Sequence, residues 1–82
     1  MKINEFESRN YTTYFRGRIW DNVTEYSYIS ANNLNTQEFE DILKESRIIL
    51  QGGWVSYIKK LLTLKSGKTL YKYIAKLEVS VN

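Results

Sequence analysis

Near the C-terminal end, Tyr71, Tyr73, Ala75, Leu77, Val79 and Val81 alternate with Leu70, Lys72, Ile74, Lys76, Glu78 and Ser80. A period of two puts the first set on one face of an extended strand and the second on the other, the signature of a half-buried β-strand. An isolated strand or hairpin is not stable in water, so the rest of the chain must supply neighbours for it. With 82 residues there is material for one domain over 1–82 and one small core. A chain of this size buries only roughly 60–65% of its unfolded surface.

The neighbours are legible. Trp54 to Leu64 is rich in apolar and aromatic residues, and Ser66-Gly67 separates it from the alternating strand, predicting a second hairpin over 54–81. On its first strand Trp54, Ile58 and Leu62 are expected to share the core face with the odd-numbered residues. A bulge at Gly67 would invert that assignment. Tyr11 to Trp20 and Val23 to Ser30, with Asp21-Asn22 between them, predict a first hairpin over 11–30 behind an N-terminal segment, 1–9. In that register Arg18 faces Glu25 and Gly17 lies opposite Tyr26.

Between the hairpins a helix is expected over 35–51. Asn35 is the N-cap with Glu38 three residues on, Leu34 can staple against Phe39, and Gly52-Gly53 supplies a left-handed stop. Its buried stripe reads Phe39, Ile42, Leu43, Ser46, Ile49 and Leu50. The fold class is therefore α+β: ββαββ, an antiparallel sheet of two hairpins with one helix on one face.

Composition removes several chemistries. The chain has no cysteine and no histidine, so thiolate and imidazole metal sites, disulfides and His-based catalysis are not expected, and neither is a cofactor. The Glu38, Glu40, Asp41 and Glu45 carboxylates read as a solvated helix face. Ser66-Gly67-Lys68-Thr69 shares letters with the end of a phosphate-binding loop. That loop needs a glycine where Leu62 stands and a helix where the last strand begins, so the stretch reads as a turn. The N-terminal residues lack an apolar run, which predicts a soluble, cytoplasmic protein with no membrane partner.

Charge is unevenly spread. Residues 55–82 carry six lysines against Glu78 alone, while the remainder carries six basic and eight acidic residues. The second hairpin thus reads as a basic arm. Tyr57, Lys59, Lys68, Leu70, Lys72, Ile74 and Lys76 are the candidate binding residues, a mixture of cations and apolar groups suited to phosphates or to an acidic protein surface.

The expected function is that of a small non-enzymatic protein that blocks or modulates a macromolecular partner, either a protein or a ribonucleoprotein. In size, lack of catalytic residues and aromatic surplus the chain resembles in general character the compact inhibitors of phages and mobile elements, such as anti-CRISPR proteins. Direct binding of nucleic acid by the lysine-rich hairpin is the alternative. A small basic ribonuclease toxin, cleaving RNA without histidine, is a lesser one.

Overall fold

A computed structural model describes residues 2–81. It contains β1 (Phe6–Phe15), β2 (Arg18–Ser30), α1 (Thr36–Glu45), β3 (Trp54–Thr63) and β4 (Thr69–Ser80). The four strands form one antiparallel sheet in the order β1-β2-β4-β3, so the two hairpins join through β2 and β4. This is the expected small α+β architecture. Among the described residues no helix is long and apolar enough to cross a membrane.

The first hairpin turns at Arg16-Gly17, not at Asp21-Asn22. Both turn residues have positive φ, 53° and 77°, as a two-residue type I′ turn requires. Arg9 therefore pairs with Glu25 and Ser8 with Tyr26, displacing the expected Arg18–Glu25 and Gly17–Tyr26 pairs. The reason is tertiary. Asp21 and Asn22 are rungs of the central ladder, opposite Ser80 and Val79, and a turn there would cut β2 away from β4. Residues 6–9, expected to precede the hairpin, are consumed as the opening of β1.

The helix begins as its cap residues predict. The Asn35 side chain accepts the Glu38 N–H at 2.8 Å, and the Glu38 carboxylate accepts the Asn35 N–H at 3.0 Å, a reciprocal capping box. It ends earlier than expected, at Glu45. Ser46 caps it and Arg47 takes the left-handed conformation with φ 58°. The Arg47 N–H donates to Lys44 O and the Ile48 N–H to Leu43 O, each at 2.9 Å, completing a Schellman motif with arginine where glycine is usual. Ser46 and Ile49 consequently leave the buried stripe, and Gly52-Gly53 lies beyond the helix. Gly53 has a different role: a Cβ there would sit 2.2 Å from the Glu78 carbonyl oxygen, so only glycine permits this approach to β4.

Phe39 and Leu43, one helical turn apart, pack with Tyr73 and Ala75 of β4, flanked by Phe6, Tyr28, Leu34, Ile48, Leu50 and Tyr71. Burying Phe39 and Leu43 contributes about 1.5–3 kcal/mol each. Tyr73 also fixes the loop into the helix: its hydroxyl donates to Asn32 O at 2.8 Å and accepts the Leu34 N–H at 2.6 Å. The odd-numbered residues of β4 thus face the helix at Tyr71, Tyr73 and Ala75, as the alternation predicts.

The second hairpin closes through Lys65-Ser66-Gly67. The Gly67 N–H donates to Leu64 O at 2.9 Å and the Leu64 N–H to Lys68 O at 2.8 Å, with Gly67 at φ 88°. This three-residue turn with its glycine bulge pairs Leu62 with Leu70 and Lys59 with Tyr73. Trp54, Ile58 and Leu62 therefore lie on the face away from the helix, and Tyr57, Lys59 and Leu61 take the face expected for them.

Candidate binding surfaces

The turn's register decides the fate of the lysine-rich face. Tyr57 and Lys59 are separated from Lys72, Ile74 and Lys76 by the thickness of the sheet. Lys59 reaches back to Asn33 Oδ1 and to Leu34 O (3.3 Å), with its ammonium over the Tyr71 and Tyr73 rings. On the opposite face Leu70 is fully buried and Ile74 is 9% exposed, so neither is available as an apolar anchor. Lys68 sits exposed in the turn. The seven residues do not form one surface.

Nor is the helix-free face a basic patch. The pairing brings Arg9, Lys60, Lys72 and Lys76 together with Glu7, Asp21, Glu25 and Glu78, four cations with four anions. Lys76 Nζ lies 3.1 Å from Glu78 Oε1, and that bond raises the lysine pKa above its ordinary value. Beside them burial, followed by a hydrogen bond to Glu25, pushes the Tyr11 phenol up. The charge asymmetry along the chain is cancelled across the sheet, because β1 and β2 lay their acids beside the lysines of the second hairpin.

Two other surfaces stand out. The first is the outer edge of β3. This ten-residue strand pairs with β4 through ten consecutive pairs without a bulge, and nothing pairs with its other side among the described residues. Along it lies an open groove of 310 Å³ between α1, the chain that follows the helix, and β3, lined by Leu43, Ile48, Ile49, Leu50 and Tyr57 with Glu40 and Lys44 at its border. Ile49 is 72% exposed, Leu61 66% and Trp54 75%. Burial, then the Glu40 charge, raises the Tyr57 pKa. The Schellman turn at Arg47 makes the groove, since it swings Ile49 and Leu50 off the helix axis.

The second is the tip of the first hairpin. An extra residue in β2 opposite Thr13/Tyr14 bulges the ladder at Trp20, with the Asp21 N–H donating to Thr13 Oγ1 at 3.1 Å. Beyond it Tyr14, Phe15, Ile19 and Trp20 are exposed around Arg16-Gly17-Arg18. The Phe15 and Trp20 rings lie 5.1 Å apart at 55°, and the Arg16 guanidinium stands 5.2 Å from the Phe15 ring centre. Sequence reasoning missed this site because Arg-Gly is not a common turn signature, although Gly17 was its one available signal.

No family model, no curated protein and no solved structure matches the chain.

Proposed function

We propose that this protein is a non-enzymatic module that captures an extended segment of a partner protein along β3 and acts by occupying it. Strand addition draws affinity from backbone hydrogen bonds and specificity from pockets for alternate side chains. The observation that carries the reading is the ten-residue edge of β3, unpaired among the described residues, running beside an apolar groove.

Edges of this kind are ordinarily blunted by charge, proline or bulges. β3 has no proline and no bulge, and its only charges are Lys59 and Lys60. Lys59 is turned onto the helix-side loop by Asn33 and Leu34. The favoured segment is extended, with a large apolar side chain entering between Ile49 and Tyr57. An acidic residue near Lys60 would add charge complementarity. Holding such a segment blocks or redirects the partner without chemistry, the mode of action of small phage and mobile-element inhibitors.

Selection from a library of short random peptides tests this. The expected ligands carry alternating apolar residues, and Leu61→Asp or Ile49→Asp weakens them at least tenfold. Ligands that bind both variants unchanged, or no ligands at all, contradict the reading. Concentration-dependent dimerisation lost in the same variants would assign the edge to a second copy of the chain instead.

A further inference from the structure

We infer that the tip of the first hairpin is a clamp for single-stranded nucleic acid, at the edge of the sheet opposite β3 and independent of the strand-addition surface. Residues 14–20 carry two arginines, three aromatic rings and no acid. The radius of gyration is 14.5 Å, against roughly 12 Å for a compact domain of this length, and the longest dimension is 45 Å. The molecule is elongated, and beyond Trp20, whose carbonyl accepts the Val81 N–H at 3.1 Å, β1 and β2 continue without a third strand among the described residues.

Phe15, Arg16, Arg18 and Trp20 line an open concavity of 520 Å³, within the range of roughly 300–1,000 Å³ typical of ligand sites. The Phe15 and Trp20 rings are about half exposed, with the Arg16 guanidinium over one face of Phe15, so ring surface for stacking and guanidinium forks that match phosphate oxygens lie side by side. Stacking on rings combined with backbone phosphate contact is how single strands are held irrespective of sequence. A duplex hides its base faces and offers the rings nothing.

One observation selects this occupant over an anionic membrane. The apex itself is Arg16-Gly17-Arg18, so a hairpin entering lipid would lead with two guanidinium groups and not with its apolar residues. Arg16 holds φ 53°, where Asn is much the better residue for a type I′ turn.

Fluorescence anisotropy with labelled oligothymidylate and oligouridylate tests the inference, with duplex DNA, a mononucleotide and phosphatidylserine vesicles as parallel arms. Both single strands are expected to bind at low salt, with log K falling against log salt at a slope of about −1.4 for two phosphate contacts. Arg16→Asn combined with Arg18→Gln, a pair compatible with the turn, should weaken binding at least tenfold. Trp20→Leu should weaken it about 5-fold or more through lost stacking. In a Trp54→Phe background the strand should quench Trp20 fluorescence, a readout that a merely unfolded tip cannot give. Lys65→Gln with Lys68→Gln at the other hairpin should change binding less than twofold. Loss on those lysine substitutions but not at the tip, equal affinity for duplex, saturation by the mononucleotide alone, vesicle binding in place of strands, or no binding at low salt each overturns the inference.

Discussion

Phe39 meets Tyr57 edge to face, ring centres 6.0 Å apart at 81°, and by that contact the helix is tied to the outermost strand of the sheet. The same Phe39 lies 5.4 Å from Tyr73 and 6.3 Å from Phe6, so one residue joins α1 to β1, β3 and β4. It is 2% exposed. Phe39→Ala should cost about 3–5 kcal/mol, as large-to-small changes at packed aromatic positions do. In urea denaturation the midpoint should fall sharply, and a loss under 1 kcal/mol, on the order of a surface change, would contradict this packing.

Arg47 occupies the left-handed position that ends the helix. Arg47→Gly removes the steric penalty of a side chain there, on the order of 1–2 kcal/mol, at the expense of unfolded-state entropy of about 0.5–1 kcal/mol. A net gain of up to about 1.5 kcal/mol is expected in the same denaturation measurement. A destabilised variant would mean that the arginine side chain holds the turn by contacts of its own.

Gly53 offers the opposite case. Because an added Cβ would collide with the Glu78 backbone, Gly53→Ala must push the start of β3 away from β4. A loss of about 1–3 kcal/mol is expected, with amide shifts in a heteronuclear NMR spectrum centred on Glu78 and Val79. An unshifted spectrum would show that the two backbones do not approach.

Among the described residues, Tyr11, Tyr57 and Lys76 bind their protons more tightly in the folded protein than outside it. For each, the raised folded pKa adds stability that is fully present below the ordinary values of 10.0 for tyrosine and 10.5 for lysine, and is lost as pH rises through the folded value. Denaturation midpoints should therefore fall on going alkaline past those values. Lys76→Met, which removes the proton shared with Glu78, should shallow the decline. Stability that rises in this range would contradict the assigned environments.

What was legible in the residues was local. The Asn35–Glu38 capping box needs only four consecutive residues, and the alternation of β4 repeats over a whole strand, so the cap and the helix-facing set of β4 were both readable, although Leu70 and Ile74 are buried on the face the alternation marks as outer. The turns were harder. Asp21-Asn22 has good turn chemistry, but a long central strand overrode it, and the true turn has Arg16 in a conformation its type disfavours. Arg47 hid the end of the helix for the same reason. The lysine face failed for a different cause: the bulge at Gly67 shifts β3 by one residue, which moves Tyr57 and Lys59 through the sheet. Which acids lie beside Lys72 and Lys76 depends on the β2–β4 pairing, a relation between residues about fifty positions apart that no local pattern encodes.

On the proposed function, a partner segment adds to β3 through its backbone. The most direct measurement titrates a selected peptide, and the same peptide N-methylated at alternate amides, into isotope-labelled protein while following hydrogen exchange along Trp54–Thr63. The unmodified peptide should slow exchange at alternate β3 amides and shift Ile49 and Tyr57. Methylating the amides on the ladder side should abolish binding, whereas methylating those facing away should leave it within a few-fold. Tight binding by both methylated peptides, or protection elsewhere in the sheet with β3 unchanged, would contradict the account.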